Sequence, residues 1–326
     1  MNATSRLACP IAVALSLAGA AVPAVAQVYP VKPIRMVIPF PPGSAADILA
    51  RAVAAKLTER GGQQVLVDPR PGGSGIIAAE IVLNAPADGY TLMVGTSSTH
   101  AISMSLRRNL PYHPVRDFAP ISKIAVVPML VTVHPSVPVK NAKELIAFAR
   151  ARPGQLTFAT AGIGTTGHLA GELFKSMARV DIVHVAYRGS PQALLDTVSG
   201  QVSMAISPIL TAFPQVTAGR LRALAVTTPR SSATAPDVPP LAAAGLPGYE
   251  ATLWYGLFAP AGTPRNIIAR LSGDVVVILG MSDVLESLSK QGAEPEGMTP
   301  DKFAAYQQSE ITKWAKVVKD SGATTD

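Results

Sequence analysis

Three clusters in the chain have residue types and spacing from which chemistry can be built. The first is Gly162-x-Gly164-x-x-Gly167, with Thr165 and Thr166 inside it and His168 just after. A glycine turn between a strand and a helix leaves unpaired backbone N–H groups at the helix start, where the helix dipole is positive, and so makes a seat for an anion. The second cluster is Ser97-Ser98-Thr99-His100, hydroxyls beside an imidazole. The third is Phe40-Pro41-Pro42-Gly43-Ser44-Ala45-Ala46-Asp47, in which Ser44 caps a helix and Asp47 falls in its first turn.

Each cluster invites a competing reading. The glycine spacing matches the dinucleotide fingerprint, which expects an acid about 20 positions on, at the end of the second strand. Asp181 is the only candidate and stands at that strand's start. A small-anion seat is therefore expected, and no cofactor. A Ser/His pair at His100 or His168 would make a nucleophile. Yet there is no Gly-x-Ser-x-Gly elbow and no acid placed to orient either ring, so the protein is not expected to be an enzyme. A secreted Ser/His hydrolase is the alternative from that class. His113, His134 and His184 share no ligand spacing, so no metal is expected. Asp47 reads as a structural helix-start acid.

These clusters need elements to hold them. Residues 34–39 read as a strand, followed by the Ser44 turn and a helix to about Arg60. A strand at 64–68, a turn through Arg70-Pro71-Gly72-Gly73-Ser74-Gly75, a helix to about Leu83 and a strand at 91–94 complete the first half. The β-rich run 121–133, broken at Pro128, is expected to cross between lobes. The second half repeats the outline, with strands at 156–160, 182–185 and 202–206 and turns at 161–167 and Tyr187-Arg188-Gly189-Ser190. Strand and helix alternating in this way build a mainly parallel sheet in each lobe, with ligands beyond the carboxyl ends of the strands. Two such lobes would face four helix starts into one cleft. Residues 227–248 read as a surface connection. An aromatic strand follows at 253–259, where Trp254 and Tyr255 either stack on a ligand or pack in the core. Thr263 is expected to cap the next helix, with Pro264 at its first position.

The chain has 326 residues, enough for two lobes. Residues 1–26 read as a secretory signal: Arg6 is the positive region, 7–21 the apolar run and Ala24-Val25-Ala26 the cleavage site. The single cysteine, Cys9, leaves with it, so no disulfide is expected and the expected location is the periplasm. Lysine and arginine number 28 against 21 acids, a net charge of +7. The basic residues are scattered, which suits a solvated surface and no nucleic-acid partner. The lobes are assigned as 27–124 plus 229–326 and 125–228.

A resemblance then emerges along essentially the whole mature chain. It is carried by Tyr29-Pro30-x-Lys32-Pro33-Ile34-Arg35, Phe40-x-Pro42-Gly43-x-x-x-Asp47, Arg70-Pro71-Gly72 and Ala87-Asp88-Gly89-Tyr90-Thr91. It continues in Gly95-Thr96-Ser97, Asp117-Phe118-Ala119-Pro120, Gly164-Thr165 with His168-Leu169-Ala170-Gly171-Glu172, and Ala259-Pro260-Ala261-Gly262-Thr263-Pro264. In these motifs the chain resembles the Bug-type periplasmic solute receptors of tripartite tricarboxylate transporters. The resemblance implies a two-lobed α/β "Venus flytrap" of the type II kind. It also implies a small mono-, di- or tricarboxylate ligand, aromatic or not, and no cofactor. The implied binding residues are Phe40, Pro42, Gly43, Ser44, Ala45, Ser97, Thr99, Gly162, Gly164, Thr165, Thr166, Tyr187 and Ser207. The implied protein partners are two membrane transporter subunits or, for a ligand-sensing co-receptor, a membrane sensor kinase; a monomer is expected.

Two departures matter. The family usually places a second glycine and a Ser or Thr between Gly43 and Asp47, where this chain has Ser44, Ala45 and Ala46. The strand after Gly200-Gln201-Val202 usually ends in an aspartate, where this chain has Ala205-Ile206-Ser207-Pro208. Without that acid a ligand ammonium lacks a partner, so a plain carboxylate is expected in preference to an amino acid. Arg70 and Arg188 are expected to hold loops or to face solvent.

Overall fold

Apolar strands joined by capped helices assemble into two sheets in this computed structural model, which describes residues 29–325. The signal-sequence reading falls on residues outside that range, apart from which the elements run in the expected order. β1 (Ile34–Ile38), α1 (Ala45–Gly61), β2 (Val65–Pro69), α2 (Ile76–Leu83), β3 (Thr91–Thr96), α3 (Ser103–Leu106) and β4 (Phe118–Val127) come first. β5 (Met129–Val133), α4 (Ala142–Ala151), β6 (Thr157–Thr160), α5 (Thr166–Ala178), β7 (Val183–Ala186), α6 (Ser190–Val198), β8 (Met204–Pro208), α7 (Ile209–Thr217) and β9 (Arg222–Val226) follow. β10 (Leu253–Pro260), α8 (Arg265–Leu279), α9 (Ser282–Lys290), β11 (Glu294–Pro295) and α10 (Pro300–Ser321) end the chain.

One sheet has the order β11-β4-β10-β3-β1-β2 and the other β7-β6-β8-β5-β9. Both are mixed, where mainly parallel sheets were expected. The ladders β2-β1-β3 and β7-β6-β8 are parallel. There, helical crossovers return the chain in the same direction. β10 and β5 arrive from the other sheet and pair antiparallel with their neighbours, β5 with both β8 and β9. The chain changes sheets at Pro128, between β4 and β5, and again between β9 and β10. Proline lacks the ladder N–H, so the strand breaks there.

Caps explain the helix starts. Ser44 accepts from the Asp47 amide at α1, Asn141 from the Glu144 amide at α4, and Thr165 from the His168 amide at α5. At α8 the expected Thr263 cap is absent: Pro264 holds the cap position and the Thr263 hydroxyl donates to the Pro260 carbonyl. The 227–248 connection is not all surface, because Leu241 and Leu246 are buried and Val226 bridges to Pro240. The π-turn Ser98–Ile102 with α3, the helix α7 and the short strand β11 have no counterpart in the sequence reading. α7 carries Pro214 inside it, a residue that ordinarily argues against a helix.

α5, which presents the glycine loop, lies close against β6. A Cβ on Gly171 would stand 2.2 Å from Cε2 of the fully buried Phe158. Gly171→Ala is therefore expected to destabilise the protein by about 1–3 kcal/mol through overpacking, read as a lowered urea midpoint.

Candidate functional site

Four chain segments that begin helical turns end on one gap between the sheets. Ser44 and Ala45 come from the start of α1, Ser98 from the π-turn, Thr165, Thr166 and Gly167 from α5, and Ser190 from α6. Residues in a first helical turn have amides without an intrahelical partner, and the dipole there is positive. The rest of the lining is apolar: Phe40, Met129, Ala161, Ile206, Pro208 and Leu253, with Tyr255. Among the described residues, none that is charged lines the gap. Burial raises the pKa of the Tyr255 hydroxyl, so it is a neutral donor at any physiological pH.

The gap is closed, with a volume of about 30 Å³, room for about one water. Hydrogen bonds cross it. Ser97 Oγ and Thr166 Oγ1 stand 2.7 Å apart, Ser98 Oγ lies 3.3 Å from Thr166 Oγ1, and the Thr166 amide donates to Ser98 Oγ at 3.1 Å. Nearer the surface, the Ser74 hydroxyl donates to the Ile163 carbonyl. Ser74 sits at φ 57°, the left-handed region, between two glycines that also take positive φ. The sheets thus meet through groups able to solvate an anion, which here solvate one another.

Of the residues expected at a ligand site, the structure brings Phe40, Ser44, Ala45, Thr165 and Thr166 to the gap, with Ser97 bonded at its edge. Gly162 and Tyr187 line a wider mouth beside it. Gly43 lines a separate outer groove. Pro42, Thr99, Gly164 and Ser207 line none of these spaces. For Thr99, Gly164 and Ser207 there is a local reason. Thr99 Oγ1 accepts from the Thr96 amide and pairs with His100 Nδ1. The Gly164 amide donates to His168 Nδ1. Ser207 alternates with Ile206 and Pro208 along β8, so its neighbours face the gap and its own hydroxyl is buried without a partner. Asp47 accepts from the Gly43 amide at 3.0 Å and pairs with Arg51 at 2.8 Å, both inside its own helix start. Arg70 is held by Asp68. Trp254 is fully buried and bonded to Glu310, whereas its neighbour Tyr255 reaches the gap. Ser98, Ser190, Met129, Ile206 and Leu253 were missed, since single hydroxyls and aliphatics carry no motif of their own.

Neither histidine beside the hydroxyls forms a nucleophile pair with a gap serine. His100 is fully buried, stacked on Phe258 at 3.9 Å, and burial lowers its pKa to about 3. His168 and His184 pack ring to ring at 4.5 Å behind the glycine loop. Burial lowers both, His184 to about 3, with the two neighbours His168 and Lys175 adding to it. His184 Nε2 bonds Thr160 Oγ1, which accepts from the Gly162 amide. The loop is thus backed by neutral rings. In the unfolded chain a histidine titrates near 6.5, far above the folded values of His100 and His184, so the unfolded state binds more protons between the two. Stability is expected to be full above about pH 6.5 and to fall as pH drops below it. For fully buried His100 the slope approaches about 1.4 kcal/mol per pH unit. Urea titrations at pH 7.5, 6 and 5 check the trend.

A profile of the tripartite tricarboxylate transporter family receptor, TctC, matches residues 49–323. The chain belongs to that family. BugT of Bordetella pertussis is 36% identical over 324 residues, covering 99% of each chain. A UPF0065 protein from the tcbD-tcbE intergenic region of Pseudomonas sp. strain P51 is 39% identical over 291 residues, covering 89% of this chain and 86% of that one. Among solved structures, an R. palustris protein with adipate superposes with a TM-score of 0.89 at 40% identity, covering 91% of this chain and 99% of the other. MatC from Rhodopseudomonas palustris with bound malate gives 0.85 at 33% identity, covering 89% and 100%. The two-lobed α/β receptor fold expected of a Bug-type protein is therefore the fold of this TctC-family receptor.

Proposed function

We propose that this TctC-family receptor works in the periplasm, where it captures a small carboxylate between its two sheets and presents it to two membrane subunits of a tripartite transporter. The observation that carries the proposal is the convergence of four helical starts and their hydroxyls on a gap with no charged lining residue. A carboxylate is the ligand such a site can hold without a cation. Micromolar binding needs about 8 kcal/mol. A helix start supplies about 0.3–1 kcal/mol, or about 2 when partly buried, so dipoles alone fall short. Hydrogen bonds to the charged group, at about 1.5–3 kcal/mol each, supply the remainder. Because the closed gap holds about one water, the sheets must separate to admit the ligand and close again on it. The carboxylate then replaces the Ser97–Thr166 and Ser98–Thr166 bonds.

The lining also bears on the ligand's other groups. Ile206 and Pro208 stand at the end of β8, and an ammonium there would be buried without a partner. A plain carboxylate suits the site and an α-amino acid does not. Isothermal titration with succinate, glutarate, adipate, benzoate, aspartate and glutamate tests this. Binding is expected among the first four and not for the amino acids. A screen in which only aspartate or glutamate bound would contradict it.

A further inference from the structure

Beside the closed gap lies the mouth, a space of about 300 Å³ that shares Phe40 and Ala161 with it. Two arginines line this mouth, half-buried Arg107 from the segment after α3 and exposed Arg188 from the turn after β7. They belong to the two different sheet units, so closure is what brings them to one space. Arg107 reaches across: its Nη2 would stand 3.7 Å from a Cβ on Gly164. Among the described residues neither arginine takes part in an ion pair, whereas Arg70, directly after β2, is held by Asp68. The mouth lining includes no carboxylate, and the Tyr187 hydroxyl that borders it is spent on Asp196 at 2.7 Å. Two unpaired like charges facing one concave space repel one another unless an anion lies between them, and such a cleft draws anions in.

We propose that Arg107 and Arg188 form a second anionic subsite, which holds the outer acid group of a ligand whose first carboxylate occupies the inner gap. They make the receptor selective for dianionic over monoanionic acids. This rests on the carboxylate-receptor reading and goes beyond it, because the inner gap has no charge with which to tell a diacid from a monoacid. Arginine suits the role: its planar fork bonds a carboxylate through two donors and stays charged at every relevant pH. The subsite also favours closure, since only the closed form sets both guanidinium groups against one anion.

The test pairs each diacid with its monoacid, adipate with hexanoate and glutarate with pentanoate. Titrations use wild type, Arg107→Gln, Arg188→Gln and the double variant, at low and high salt. Wild type is expected to prefer the better diacid at least tenfold, with a preference that shrinks as salt rises. Each single variant should cut that preference severalfold and the double variant should abolish it, while monoacid affinity stays within twofold. Arg107→Lys and Arg188→Lys should restore part of it, and unchanged thermal melts show that the variants are folded. Equal affinity of wild type for diacid and monoacid, or equal weakening of both by the variants, would overturn the subsite and leave the receptor reading standing. Failure of every acid to bind would sink that reading and the subsite with it.

Discussion

Thr166→Ala is expected to weaken carboxylate binding by about 10- to 150-fold, the equivalent of one lost hydrogen bond to a charged group at about 1.5–3 kcal/mol. Thr166 stands where the second sheet unit meets the first: its hydroxyl lies 2.7 Å from Ser97 Oγ and 3.3 Å from Ser98 Oγ, and its amide donates to Ser98 Oγ. In the ligand-bound form these donors turn to the carboxylate. The substitution leaves the backbone amides of α5 in place, so binding is reduced and not abolished. Ser98→Ala should act in the same direction. Thr217→Ala, whose exposed hydroxyl bonds only the Pro214 carbonyl, should leave affinity unchanged. Titration calorimetry of the three variants separates these outcomes. Equal affinities for wild type and Thr166→Ala would mean that the ligand does not sit between the sheets.

Glu310→Ala is expected to cost about 2–5 kcal/mol of stability, at about 1–3 kcal/mol for each buried donor left unsatisfied. Glu310 is buried on α10 and its carboxylate accepts from the indole N–H of both Trp254 and Trp314, at 3.1 and 3.2 Å. It also pairs with Lys313 at 2.6 Å. Alanine would leave two fully buried indole donors unsatisfied and open a cavity beside them. The cluster ties the last helix to β10, the strand that follows the return crossing, so the loss falls on the frame that positions the gap. Glu310→Gln keeps an acceptor and the shape, and should lose less. Denaturant midpoints measure both. A cost below about 1 kcal/mol for alanine would show that the tryptophans find other acceptors.

Much of this frame could be read from the sequence because local signals and tertiary packing agreed. Ser44 announced its helix by cap chemistry and accepts the bond expected of it. Pro128 announced the crossing by breaking an otherwise continuous apolar run. What escaped is what depends on the partner sheet. The direction of β10 and β5 is set by where the chain comes from, which no periodicity encodes. The π-turn at Ser98–Ile102 is held by Tyr112, whose hydroxyl donates to the Thr99 carbonyl, and by Gln307 from α10, which donates to the His100 carbonyl. Gln307 lies 207 residues away from its partner in sequence. The lining residues divide in the same way. Helix-start hydroxyls such as Thr165 and Thr166 belong to a readable motif. Ile206 and Leu253 are ordinary strand aliphatics until the two sheet units meet over them. Ser207 looked like a strand-end hydroxyl for the ligand, but the alternation of β8 turns its neighbours to the gap.

The most direct test of the account is a crystal structure with the tightest-binding acid. One carboxylate should lie in the opened gap, its oxygens about 2.7–3.2 Å from the Gly167 amide and from the hydroxyls of Thr166 and Ser98, with the Ser97–Thr166 bond broken. An acid bound elsewhere, with the gap still closed and that bond intact, would contradict it.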